Sequence, residues 1–314
     1  MTDAPAVDAP HILHFYDAAF AACTRVSLLT ALECTPGPLR VTLHPTEPDA
    51  QLAADVHALA EAFPEAALAV REVDLSPYAH LPRGRLPLAA RSRLLMPRLH
   101  DGRALYLDGD TLVRRSLRPL WETDLQGACL GAALAPGVQV HCAQVAARAP
   151  GWRTAQEKLA KRSARLDGID MARYVNNGVM VLDLARIRAE GLDAAMADID
   201  ATARYTSRDQ DYMNVIFRDR IHLIDPTWNS GWGNPRTRER FVPTQMQDRF
   251  RASRDDPAIL HFTGFEKPWQ APTPPFQLHL LTKPFERSSR ARWWAEFHAA
   301  RDRAEAVLGR RLWP

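Results

Sequence analysis

Apolar positions along the chain fall into short runs separated by turn residues, and their spacing alternates between two periods. Ile12 to Phe15 is a short apolar run ending at Tyr16-Asp17, and Phe20 to Leu32 then carries apolar residues at helical spacing, which predicts strand, loop, helix. Leu39, Val41 and Leu43 alternate as a second strand, an alanine-rich helical pattern runs from about Gln51 to Phe63, and Ala66 to Val73 reads as a third strand. Strands alternating with helices predict an α/β fold with a mainly parallel sheet flanked by helices on both faces.

Leu88 to Leu99 is helical in pattern, His100-Asp101-Gly102 is a turn, and Ala104 to Leu107 reads as a buried strand running straight into Asp108-Gly109-Asp110. An acidic turn at the carboxyl end of such a strand sits where open α/β sheets bind ligands. From Pro136 to Arg173 the pattern is weak and many residues are basic, which predicts an insertion or loop with some helix. Val179 to Leu184, Ile221 to Ile224 and Ile259 to Phe262 read as strands, and Asp209 to Phe217 as the start of a helix. In the last stretch, Ser288 to Leu308, Trp293, Trp294, Phe297, Ala304 and Val307 lie near helical spacing among several arginines. The expected organisation is one domain over 1–284 and an amphipathic helical extension over 285–314.

Composition narrows the function classes. Forty basic against thirty-seven acidic residues give a net charge of +3, too balanced to indicate a nucleic-acid binder. No apolar run approaches the roughly 20 residues that cross a bilayer, and the first residues lack the basic and apolar regions of a signal peptide, so the expected location is cytoplasmic. Arginines around Trp293, Trp294 and Trp313 fit peripheral attachment to the inner face of a membrane, or else an ordinary helix packed on the domain. Cys23, Cys34, Cys129 and Cys142 form no CxxC pair and are expected to be reduced thiols.

Two carboxylates flanking one glycine on a turn can hold a hard cation, Mg²⁺ or Mn²⁺, and leave coordination positions for phosphate oxygens. Acidic turns also abound in loops that bind nothing, so Asp108 and Asp110 alone decide little. The segment Asp-Gly-Asp-Thr-Leu also resembles the D-x-D-x-T signature of haloacid-dehalogenase-like phosphatases, but here the threonine comes one residue early.

Six segments in order carry a resemblance to glycosyltransferase family 8, the family of bacterial galactosyl- and glucosyltransferases of lipopolysaccharide synthesis and of glycogenin. They are ILHFYDAAF, SRLLMPRL, LYLDGDTLV with SLRPLWETDL, YVNNGVMVLDL, RDQDYMNVIF and HFTGFEKPW. The resemblance implies a single Rossmann-like domain of the GT-A type. It also implies retaining transfer of galactose or glucose from a UDP-sugar to a saccharide or lipid-linked saccharide acceptor, in cell-surface polysaccharide or lipopolysaccharide synthesis. A catalytically silent UDP-sugar-binding protein is the alternative within the same fold.

The resemblance also assigns roles. Asp108, Asp110 and His261 match the metal ligands, with Mn²⁺ or Mg²⁺ as the ion. Gly264 and Lys267 match diphosphate contacts, Arg93 a contact to donor phosphate or sugar, and Asp17 a carboxylate near the base. Two residues after Asp17 the usual polar partner is replaced by Ala19, and His14 and Tyr16 are candidates to compensate. Asn176, beside Asn177, matches an amide that orients the transferring sugar, and Asp209, Gln210 and Asp211 match the reacting-face segment. Gln210 holds the position of a nucleophile or cation stabiliser; a neutral amide is a weak nucleophile, which favours front-face transfer. Asp209 or Asp211 also fits a helix N-cap. On the acceptor side, the family's aspartate after Gly131-Ala132 is missing and Leu134-Ala135-Pro136 stands there. Trp228, Asn229 and Trp232 are a candidate platform for a sugar ring.

Overall fold

The structure is a computed structural model that describes residues 9–81, 87–231, 244–264, 266–271, 277, 281 and 284–313. It opens as a regular alternation: β1 (His11–Tyr16), α1 (Ala21–Cys34), β2 (Leu39–Pro45), α2 (Leu52–Ala62) and β3 (Ala66–Val70). β1 pairs in parallel with β2, and β2 with β3, because a helical crossover returns the chain to the same edge before each new strand. Every residue of β1 is buried, so its polar side chains need internal partners. His11 Nε2 lies 2.9 Å from Thr42 Oγ1, and His14 Nδ1 lies 2.9 Å from the carbonyl of Leu107.

The segment expected to be helical over 88–99 is a tight 3-10 stretch, Leu88–Leu95, that opens into α3 (Met96–Leu99). Then comes β4 (Arg103–Leu107), parallel to β1, followed by β5 (Thr111–Val113), α4 (Arg118–Trp121), β6 (Leu130–Leu134), α5 (Pro136–Ala146), α6 (Trp152–Arg165) and β7 (Val175–Asp183). The span 136–173 is therefore mostly two helices. Its periodicity is weak because α6, WRTAQEKLAKRSAR, buries only Ala155 and is polar around most of its girth. Strong helix formers and the packing of α5 on α6 hold it.

The chain continues through α7 (Leu184–Ala189), α8 (Asp193–Met196), α9 (Arg208–Ile216), β8 (Ile221–Leu223), β9 (Ser230–Gly231), α10 (Thr244–Asp255), β10 (Ile259–His261) and α11 (Pro284–Leu308). The main sheet runs β3-β2-β1-β4-β7-β6-β8, mostly parallel, with β7 antiparallel to both neighbours. A second sheet, β5-β10-β9, stands beside it. Its antiparallel pair sets His261 opposite Thr111, which brings a segment 150 residues downstream against the acidic turn.

Two apolar layers cover the main sheet. Trp293, Phe297, Ala300 and Ala304 of α11 recur every three or four residues and are each 1% exposed, and the helix packs on α1 and α2. Arg303 pairs with Glu33 and Arg310 with Asp55. The apolar stripe of α11 thus faces the domain. Beyond it, Trp313 stacks on Trp269, ring centroids 6.0 Å apart, and Trp269 also touches Phe297. No helix among the described residues is long and apolar enough to cross a membrane.

Candidate functional site

The acidic turn is clamped from three sides. The amide of Asp108 donates to the carbonyl of Gly178 at 2.8 Å, Thr111 Oγ1 donates to the carbonyl of Asp108 at 2.8 Å, and the amide of Phe262 donates to the carbonyl of Asp110 at 2.9 Å. A Cβ on Gly109 would meet Thr24 Oγ1 at 2.2 Å, so α1 packs against the turn only because that residue has no side chain.

These contacts gather the three expected ligands. One donor atom each from Asp108, Asp110 and His261 lie within 4.8 Å of one another, with His261 Nε2 at 3.2 Å from Asp110 Oδ1 and 3.5 Å from Asp108 Oδ2. His261 Nδ1 lies 2.8 Å from Asn229 Oδ1. An amide oxygen only accepts, so the Nδ1 proton is fixed there, and the lone pair of the neutral imidazole falls on Nε2, facing the carboxylates. Burial alone would raise the Asp110 carboxyl, but His261 when a second proton sits on Nε2, and Lys267 beside it, hold it below the usual range; a bound cation takes the place of that proton. Two carboxylate oxygens and an imidazole lone pair at this spacing suit a hard to borderline divalent cation. A Cβ on Gly178 would meet His261 Cε1 at 2.1 Å and Asp108 Oδ2 at 2.8 Å, so this glycine keeps the space between the ligands open.

Asn229 extends the arrangement. Its Nδ2 donates to Asn176 Oδ1 at 2.8 Å, Asn176 Nδ2 donates to Gln210 Oε1 at 2.9 Å, and Gln210 Nε2 donates to Tyr174 Oη at 3.1 Å. Tyr174 in turn donates to Asp211 Oδ1 at 2.6 Å, which Arg162 holds at 2.9 Å. A continuous chain of hydrogen bonds therefore joins the imidazole to the amide of Gln210, and each amide is held at both ends.

Arg93 crosses the floor of the site. Its guanidinium lies 2.9 Å from Asp108 Oδ1 and 3.4 Å from Asp209 Oδ2, donates to the carbonyl of Asn177 at 3.2 Å, and sits 4.7 Å above the ring of Tyr106. Burial pushes the Asp209 carboxyl up to about 6; Arg93 opposes this, and the charge of Asp108 adds to it. Lys267 Nζ donates to Asp110 Oδ2 at 2.5 Å and to the carbonyl of Phe262 at 2.7 Å. Gly264 has φ +91°, a left-handed backbone that favours glycine.

Asp17, Arg93, Asp108, Asp110, Asn176, Asn177, Asp209, Gln210, His261, Gly264 and Lys267 all line one cavity of about 540 Å³, together with Ala19 and Trp269. Asp17 stands at its edge, where Oδ1 accepts the amide of Phe20 at 3.1 Å and burial raises the carboxyl. Asp211 is not among the lining residues. It is 2% exposed, and besides Tyr174 and Arg162 its Oδ2 accepts the amide of Ser207 at 2.7 Å. The N-cap expected of Asp209 or Asp211 is not formed: α9 begins at Arg208, both carboxylates lie within its first turn, and Ser207 at the N-cap makes no side-chain cap. His14 is buried in the sheet and does not line the cavity, whereas Tyr16 lines it beside Asp17 and its hydroxyl reaches Asp49 at 3.4 Å. Trp228 packs against the core, and Trp232 lies outside the described residues. Tyr174, Arg162 and the orienting role of Asn229 escape sequence reasoning; only the amide-rich stretch Tyr174-Val175-Asn176-Asn177 hints at them.

Comparison with known proteins gives consistent matches. The model of the family described as Glycosyl transferase family 8 matches residues 88–273. "General stress protein A" of Bacillus subtilis (strain 168) is 24% identical over 222 residues, covering 64% of this chain and 66% of that protein. "Probable galacturonosyltransferase 7" of Arabidopsis thaliana is 27% identical over 195 residues, 59% of this chain and 26% of that protein. The chain thus spans less than two thirds of either relative. Among solved structures, the galactosyltransferase LgtC in complex with donor and acceptor sugar analogues aligns with a TM-score of 0.62 at 21% identity, covering 87% of this chain and 94% of that one. The bifunctional glycosyltransferase WbbM aligns with a TM-score of 0.66 at 19% identity, covering 90% of this chain and 51% of that one. Both share the GT-A fold described above.

Proposed function

The chain belongs to glycosyl transferase family 8; from that premise we propose that it is a glycosyltransferase that moves galactose or glucose from a UDP-sugar to a saccharide acceptor, with metal dependence and retention of configuration. The observation that supports this most is the convergence of Asp108 and Asp110 with His261, from the far side of the chain, within 4.8 Å.

Asp108, Asp110 and His261 would hold Mn²⁺ or Mg²⁺, which supplies Lewis-acid charge to the departing diphosphate. Lys267 adds a cation held beside Asp110, and the open backbone at Gly264 lets the diphosphate approach closely. Asp17 accepts from the uracil edge. Asp209, held by Arg93, accepts from donor hydroxyls, while Asn176 and Gln210 present fixed amides to the sugar. A locked neutral amide at Gln210 is suited to stabilising positive charge at the anomeric carbon rather than attacking it, which fits front-face transfer. Synthesis of cell-surface polysaccharide or lipopolysaccharide, with a lipid-linked saccharide as acceptor, is the setting in which we place the reaction.

A thermal-shift panel of UDP, GDP, UDP-glucose and UDP-galactose, each with and without Mn²⁺, tests the reading. Stabilisation by UDP and its sugars that depends on Mn²⁺ supports it. Equal response to GDP, or a response indifferent to the metal, contradicts it.

A further inference from the structure

A second cavity, of about 580 Å³, opens against the first. The two share Asn176, Ser207, Gln210 and Thr263 as a common wall. A third cavity, beside α10, has no lining residue in common with the donor cavity. In the donor-site reading on which this inference rests, a co-substrate must reach the sugar held at Gln210 and Asn176, and the adjoining cavity gives it that access.

Its chemistry is one-sided. Among the described residues no carboxylate lines it, while Lys158, Arg162 and His141 do. Lys158, Lys161, Arg162 and Arg165 fall at i, i+3, i+4 and i+7 of α6, which makes one continuous basic stripe. Arg162 is answered by Asp211. Lys158, Lys161 and Arg165 are exposed and have no ion-pair partner among the described residues. Such a run of like charge is unfavourable for the helix itself. It becomes favourable when a bound anion lies against it.

We propose that the second cavity takes an acceptor saccharide carrying an anionic substituent, a phosphate or a carboxylate, with Lys158 as the residue that recognises it.

The test uses the full chain with UDP-glucose or UDP-galactose, Mn²⁺ and three acceptors that differ in one group: a neutral octyl hexoside, its 6-phosphate and the matching octyl hexuronoside. A charge-assisted contact predicts a KM about tenfold lower for a charged acceptor than for the neutral one. In Lys158→Ala that preference shrinks to about twofold or less, a change in the ratio that general loss of fold does not produce. Preference for the phosphate alone or the uronate alone identifies the source of the charge. Equal KM values for all three, a preference that survives in Lys158→Ala, or UDP release to water with transfer to none of the three overturns the proposal while leaving the donor reading standing. No UDP release from either donor under any condition removes the donor reading, and this proposal with it.

Discussion

The donor cavity and the basic cavity share a wall, yet they are built in opposite ways. In the donor cavity Asp110, Asp209, Arg93 and His261 are each at most 8% exposed and bound to one another or to backbone. Along α6, Lys158, Lys161 and Arg165 stand in solvent with no ion-pair partner among the described residues, whereas Arg162 is tied to Asp211. The first arrangement stores orientation: its groups are already desolvated and aimed, so little reorganisation remains when a substrate arrives. The second stores only charge, which water and salt screen and a ligand can exchange. Substitutions in the donor cavity should therefore damage the chemical step, whereas those along α6 should shift acceptor affinity.

The largest effect is expected at the acidic turn. Asp110→Ala should lower transfer by about 10³-fold or more, the equivalent of losing several kcal/mol of charge stabilisation, with circular dichroism unchanged. Gly178→Ala comes next. The added methyl must displace either the imidazole or a carboxylate, and a displacement near 1 Å costs on the order of 10²-fold in rate; wild-type kcat in this variant would contradict the packing described. Asn229→Ala frees the imidazole without touching the ion, so Mn²⁺ affinity measured by titration should fall by about 10- to 100-fold.

Acid should act on the same cavity. Burial raises Asp209 to about 6 from its ordinary 3.8, and in the proposed role its protonation replaces the charge-assisted hydrogen bond from a donor hydroxyl by a weaker neutral one. Donor kcat/KM should therefore fall by at most about tenfold per pH unit below 6, and Asp209→Asn should flatten that limb. Stability runs the other way for this group. The folded state binds its proton more readily than the unfolded chain, so the cost of burying the charge is present above about 6 and is relieved as pH falls from 6 towards 3.8. The smallest effect belongs to the basic stripe. Lys161→Ala removes an exposed, unpaired charge and should change stability by no more than about 0.5 kcal/mol.

The same contrast explains what could be read from the chain. β1, β4 and the acidic turn are legible because strands buried on both faces demand continuous apolar runs, and the turn stands where one run stops, while β2 shows as an alternation. The antiparallel direction of β7 is not legible, since a period of two residues carries no direction. The helix α6 was hidden because its partner surface is small and its other faces are wet. His261 has an apolar run before it but no local sign of its role, which entered through resemblance. Asn229 has none either: its task depends on a register between β9 and β10 set by tertiary packing. On α9, one residue of helical rotation separates Gln210, which faces the cavity, from Asp211, which is locked behind it by Tyr174 and Arg162. Sequence places both on the helix; packing alone distinguishes them.

The proposed donor site stands or falls with one divalent cation held jointly by Asp108, Asp110 and His261. Anomalous diffraction at the manganese edge, from crystals grown with Mn²⁺ and UDP, measures this directly. A single peak is expected at coordination distance, about 2.0 to 2.3 Å, from one oxygen of each carboxylate and from Nε2 of the histidine. A peak bound elsewhere, or UDP seated in the cavity with no metal between it and these three residues, would contradict it.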